Sequence, residues 1–157
     1  MKKRVFNFLL AIVLCIGGVM NPQMEAKAEV VCEDIPFSDV MTDDALIGYA
    51  QNQTWGVYLS GGNSIINKIS STKIGAGGST NAKVKCTVKV TVILERRNSD
   101  GGWGRVTSWN QTNTNAYSVV SSKSVTVASG YYYRVRCYHY ASTDTGSSFT
   151  DALWVGN

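Results

Sequence analysis

From Val84 to Leu94 the chain alternates without a break. Val84, Cys86, Val88, Val90, Val92 and Leu94 hold one parity, and Lys83, Lys85, Thr87, Lys89 and Thr91 the other. Period two with β-branched residues predicts a half-buried strand. Asn98-Ser99-Asp100-Gly101-Gly102 follows, where Asp-Gly supplies the positive φ of a hairpin turn, and Trp103–Gln111 returns as the partner. Further strands are predicted at Val57–Ser60, Ser64–Ser70, Lys123–Ala128, Tyr131–Ala141 and Phe149–Val155. Turns are predicted between them at Gly61-Gly62, Gly75–Thr80, Ser129-Gly130 and Thr143–Ser147. Only Asp39–Gln51 has room for a short helix, with Ser38 or Thr42 as its N-cap. Two prolines and closely spaced turns point to an all-β chain: a single immunoglobulin-like or fibronectin-like β-sandwich of about 7–9 strands. Within it, "TVASGYYYRVRC" has the form of a tyrosine corner, a strand, a tight glycine turn and then tyrosine at the head of the next strand.

The first residues change where this domain is expected to start. Met1-Lys2-Lys3-Arg4, an apolar run from Val5 to Val19 and Ala26-Lys27-Ala28 have the layout of a cleaved secretory signal peptide. The apolar run is shorter than the roughly 20 residues that span a bilayer, and Leu14 precedes Cys15 where a lipoprotein would want a small residue. The expected divisions are a signal peptide at 1–28, an acidic segment at 29–50 and the β-sandwich at 51–157. That layout implies a secreted, extracellular protein with no membrane span in its mature form.

Charge is informative only once the leader is set aside. The chain has 15 basic and 11 acidic residues; four basic and one acidic lie in the leader, so the mature chain is close to neutral at +1. The distribution is uneven. Glu29, Glu33, Asp34, Asp39, Asp43 and Asp44 have no basic residue among them, whereas the chain from Lys68 onward carries eleven basic and four acidic residues. An acidic head precedes a basic body. No dense basic run points to nucleic acid.

Candidate chemistry is sparse. "DTGSSFTDALWV" (Asp144–Val155) resembles the active-site strand of a pepsin-like aspartic protease. Such an enzyme needs two carboxylates sharing a proton. Here there is one D-T-G motif, eleven residues follow Gly146, and Tyr140-Ala141-Ser142-Thr143 is not the aliphatic strand that would bury the acid. A turn role for Asp144-Thr145-Gly146 is expected instead. The single histidine, His139, has no nucleophile placed beside it by motif, and a packing or surface role is the plainer reading. One histidine and scattered cysteines do not make a zinc set. Asp34, Asp39, Asp43 and Asp44 lack EF-hand spacing, and Gly75, Gly77 and Gly78 lack the Gly-Lys-Ser/Thr ending of a phosphate loop. No cofactor is implied, and a non-catalytic protein is expected, with a hydrolase of unrecognised site as the least favoured alternative.

Two features remain. Cys86 and Cys137 share inward parity on their strands, so a Cys86–Cys137 disulfide across the core is expected, against the alternative of two buried thiols, with Cys32 left over. Alternation also puts Tyr132, Arg134, Arg136, Tyr138 and Tyr140 on one outward face. Aromatic rings and guanidinium groups side by side suit a glycan or an anionic cell-wall polymer. Alternatively the face is covered by another surface protein or by the acidic head.

Several separated stretches agree in order with one family: "IGYAQNQTWGVYLSGGNSIINKISSTKIGAGGSTNAKVKC", the G-x-W-x-x-V-x-S-W pattern ending at Trp109, "SGYYYRVRCYHYASTDTGSS" and "ALWV". Over Asp43–Asn157 the chain resembles small secreted β-rich proteins of Gram-positive, Clostridia-type bacteria that form a domain of unknown function. The resemblance implies a signal peptide and a compact β domain, and brings no catalytic residues.

Overall fold

A computed structural model describes residues 30–50 and 56–157. The expected signal peptide at 1–28 lies outside them. The described chain is antiparallel β throughout, with eight strands and no α-helix. In order these are β1 (Cys32–Asp34), β2 (Leu46–Tyr49), β3 (Leu59–Ser70), β4 (Lys73–Arg97), β5 (Trp103–Thr126), β6 (Tyr131–Ala141), β7 (Asp144–Phe149) and β8 (Leu153–Val155). The expected all-β class and strand number agree with this. Among the described residues no helix is long and apolar enough to cross a membrane.

The organising element is the β4–β5 ribbon, longer than the alternation predicted. Its first part on β4 (73–81) pairs β3 on one side and the end of β5 on the other, with β2 and β1 completing the order β1-β5-β4-β3-β2. Its second part (88–97) pairs the start of β5 and β6, and β6 in turn pairs β7 and β8. Between these parts the β4–β5 register breaks at Asn81/Cys86 and Cys86/Val88, and Asn115 opposite takes a positive φ of 51°. An irregularity of this kind bends a strand pair. The sheet therefore folds on itself, and β3 packs against β6 and β7 without pairing to them.

The alternating residues explain the core. Val88, Val90, Val92 and Leu94 from β4 and Tyr133, Val135, Cys137 and Ala141 from β6 meet Leu59, Ile66, Ile74 and Ala76 from the other half. Val84, expected on the inward face, is exposed because it lies in the bend, where β4 has left the ladder. The expected hairpin turn is present: Asn98 N–H donates to the Gly102 carbonyl at 2.8 Å, and Gly101 sits at φ 83°. So is the tyrosine corner. The Tyr133 hydroxyl donates to the Ala128 carbonyl at 2.8 Å, across the turn held by Gly130 at φ 85°.

Four sequence expectations are corrected. Asp39–Gln51 is not helical: a 3-10 turn at Phe37–Asp39 is followed by β2, whose Leu46–Tyr49 pair with Asn63–Ile66. Pairing and burial outweigh local propensity there. Gly61-Gly62 and Gly75–Thr80 are strand, not turn. Two of their glycines are there for closeness: a Cβ on Gly62 would lie 2.5 Å from the His139 ring, and one on Gly78 would collide with Cys137 Sγ. The turn expected at Thr143–Ser147 is a tighter one at Ser142-Thr143, and Asp144 opens β7.

The fourth correction is the Cys86–Cys137 disulfide. The thiols are free. In the β4–β6 ladder Cys137 lies opposite Val92, six residues from Cys86, or about 20 Å at the rise of a strand. A disulfide needs Cα atoms within about 7 Å. Shared parity put both side chains on one face and said nothing about their position along it. Cys137 Sγ instead donates to the Gly77 carbonyl at 3.6 Å, and burial pushes its thiol pKa up. Iodoacetamide under native, non-reducing conditions is expected to spare Cys137 and to modify it only after unfolding. A disulfide-linked peptide containing Cys86 and Cys137 would refute this register.

Candidate functional site

Alternation along β6 divides its side chains as expected. Tyr133, Val135, Cys137, His139 and Ala141 are buried, while Tyr132, Tyr138 and Tyr140 are exposed and Arg134 and Arg136 are half-buried on the opposite face. Register then shows what lies beside them. Arg134 is opposite Glu95 of β4, Arg136 lies between Ile93 and Phe149, and Tyr132 is opposite Trp154 of β8. Tyr138 lies between Thr91 and Ser147, and Tyr140 between Lys89 and Thr145. The five residues singled out from sequence thus share one face, joined by Glu95, Trp103, Phe149, Trp154 and Lys89. Parity on each strand gave the signal for these five; the missing information was which strands are neighbours.

Glu95 anchors this face. Arg134 Nε donates to Glu95 Oε2 at 2.6 Å, and Arg136 Nε lies 3.3 Å from Glu95 Oε1, an ion pair without hydrogen-bond geometry. The Arg134 guanidinium also lies over the Trp103 ring at 4.2 Å. Arg134 is therefore committed within the protein, while Arg136 keeps part of its donor fork free. The aromatics around it are open: Tyr132, Tyr138, Tyr140, Phe149 and Trp154 are 38–55 % exposed. Tyr132 and Trp154 pack with ring centres 5.0 Å apart, and Lys89 Nζ sits 5.4 Å over Tyr140. A groove of about 310 Å³ adjoins this face between β2 and β7, with Phe149, Tyr49 and Asp151 among its walls.

Two acids of the head, Glu33 and Asp34, are engaged away from this face. Glu33 pairs with Lys73 at 2.9 Å and Asp34 with Lys123 at 2.6 Å, in the other half of the sheet. Lys73 also draws the Glu33 carboxyl below its usual range.

The remaining candidate residues turn inward or toward the backbone. Asp144 Oδ2 accepts from the backbone N–H of Leu59 at 2.9 Å and of Tyr58 at 2.6 Å, and these bonds hold its pKa below the usual carboxylate range. It closes the start of β3 against β7 rather than making the expected turn. His139 is fully buried, with Nδ1 2.9 Å from Thr80 Oγ1 and Nε2 2.9 Å from Ser148 Oγ. Thr80 spends its hydroxyl proton on the Lys89 carbonyl at 3.1 Å, so its oxygen accepts from Nδ1–H and Nε2 accepts from Ser148. A neutral ring satisfies all three groups. Thr80 and Ser148 are themselves buried, so this set faces the interior. Among the described residues no three His, Cys, Asp or Glu side chains are grouped to hold a metal ion.

Two measurements follow. Burial lowers the His139 pKa to about 4, from 6.5 in the unfolded chain. The unfolded state then binds the extra proton between these values, so this contribution is complete above pH 6.5 and is lost as pH falls toward 4. It amounts to about 3 kcal/mol. Urea unfolding across this window is expected to show that loss, and a folded His139→Gln variant to lack most of it. An equal slope in both proteins would contradict the assignment. Glu95→Ala strands two guanidinium groups and is expected to lower stability by roughly 2–3 kcal/mol. A change below about 0.5 kcal/mol, typical of an exposed position, would show that Glu95 anchors nothing.

Residues 33–153 match the model of a family described as a family of unknown function (DUF6147). No curated protein and no solved structure matches the chain.

Proposed function

We propose that this chain, which belongs to the DUF6147 family, is a secreted, non-catalytic protein that binds a glycan or an anionic cell-wall polymer at the surface of a Gram-positive cell. The observation that carries the reading is the open aromatic row Tyr132, Tyr138, Tyr140, Phe149 and Trp154 set around Arg136 on one sheet face. Soluble proteins seldom leave large side chains contiguous and uncovered without a use for them. Tyrosine and tryptophan rings stack on the apolar faces of sugars, and a guanidinium fork suits phosphate or carboxylate. From Tyr132 to Tyr138 the strand runs six residues, about 20 Å, which accommodates several sugar units.

The leader Met1–Ala28 supports export, and an exported protein meets the wall before any other polymer. The non-catalytic part of the reading rests on where the titratable groups are engaged. His139 is held neutral among buried hydroxyls, and Asp144 is bound by two backbone amides. Glu33 and Asp34 of the acidic head are paired with Lys73 and Lys123 elsewhere, which supports a face open to an external partner.

Sedimentation with purified Gram-positive cell walls tests the proposal. The mature protein, Glu29–Asn157, is expected to pellet with walls. Tyr138→Ala combined with Arg136→Ala is expected to weaken binding about tenfold or more, equivalent to roughly 1.4 kcal/mol. Added salt should weaken the part that Arg136 carries and leave the stacking part. Walls stripped of anionic polymer separate the two ligand chemistries: retained binding identifies the glycan, lost binding the anionic chain. Wild-type protein remaining in the supernatant, or a double variant that pellets equally well, would refute the reading.

A further inference from the structure

We infer that the outer edge of β5 pairs with the same edge of a second copy of this chain, antiparallel and about a two-fold axis near Asn110. β5 bonds to β4 along its inner side, and β1 covers its outer side only at Lys123–Val125, extended by backbone bonds at Ser122 and Thr126. Among the described residues nothing pairs the outer side from Trp103 to Ser121. Within that length Thr107–Asn113 is the regular part. It lies beyond the irregularity at Leu94/Glu95 and before the bend, paired residue by residue with Val88–Leu94. It runs about 20 Å, and every second residue along it presents both a backbone N–H and a C=O to the open side.

Composition distinguishes this edge from the others. Sheets usually blunt an open edge with charge, proline, a bulge or brevity. β1 is three residues long and bears Glu33 and Asp34, β8 is also three residues long, and β7 is six residues long and opens with Asp144. β2 is four residues long, and its Gly48 abuts the Phe149 carbonyl of β7. By contrast Val106–Ser122 contains no charged residue and no proline. The edge segment Thr-Ser-Trp-Asn-Gln-Thr-Asn is neutral throughout.

That neutrality makes the edge compatible with a second copy of itself, which is the partner we infer. Centring the pair on Asn110 sets Thr107 against Asn113, Ser108 against Thr112 and Trp109 against Gln111, each contact occurring twice. No charge opposes itself, and the nearest cation, Arg105, falls opposite Asn115. A parallel pairing in register would stack Arg105 on Arg105. The antiparallel two-fold arrangement is thus the one this edge accepts without repulsion. It does not depend on any ligand, and failure of wall binding would leave it intact.

Sedimentation velocity from micromolar to millimolar concentration, with charge exchange at the axis, tests the pairing. Wild type is expected to pass from monomer to dimer. Asn110→Lys and Asn110→Glu, at an exposed position, are each expected to stay folded by circular dichroism and to raise the dimer dissociation constant at least tenfold. An equimolar mixture of the two is expected to recover dimer, because the opposed charges then attract. A wild type that stays monomeric, a dimer that survives either charge, or a mixture that fails to recover it would overturn the inference.

Discussion

The fold depends on the close approach of β6 to the glycine-bearing surface of β3 and β4. Cys137 and His139 project from β6 into space where Gly78 and Gly62 carry no side chain. A Cβ at either position would push the halves apart and uncover Leu59, Ile66, Val90 and Val135 together, since all belong to one apolar cluster. Closeness also makes the polar contacts across this seam possible: Thr80 reaches His139, and Cys137 reaches the Gly77 carbonyl. Buried polar groups are tolerated only when so paired.

The same strand that closes the core also supplies the candidate binding face. On β6 one parity is buried against the glycines and the other emerges beside Glu95, Phe149 and Trp154. The two faces are coupled mechanically. Residues that fix β6 from within, such as Tyr133 through its bond to Ala128, set the spacing of Tyr132, Arg136 and Tyr138 outside. Glu95 does similar work from the outer side by holding Arg134 and drawing Arg136 toward it. An arginine already placed by Glu95 would lose little freedom on meeting the proposed polymer.

Bending of the β4–β5 ribbon has the opposite character, because it leaves groups unspent. Once β5 turns at Asn113–Ser118, its first part becomes the border of the β6 half, while its last part is covered by β1. Among the described residues the N-terminal segment forms β1, the 3-10 turn and β2, all on the half away from the start of β5.

Sequence alone determined what depends on near neighbours. The alternation at Val88–Leu94 and along β6 specified two strands and their inward faces, because period two is a local property. Asp100-Gly101 and Ser129-Gly130 specified turns because positive φ is a single-residue demand. The tyrosine corner, the family resemblance and the shared outward face of Tyr132, Arg134, Arg136, Tyr138 and Tyr140 were legible for the same reason. Tertiary structure alone decided whatever depends on distance along a ladder or on which strands adjoin. Gly62 and Gly78 read as turns because a local reading cannot separate flexibility from thinness; only His139 and Cys137 across the seam make that distinction. Cys86 and Cys137 share parity yet sit six residues apart in register. Leu46–Tyr49 is a strand because β3 offers it partners, which nothing in its own residues announces. Glu95, Trp103, Phe149 and Trp154 joined the candidate site by register, the one property that a strand does not carry in its own sequence.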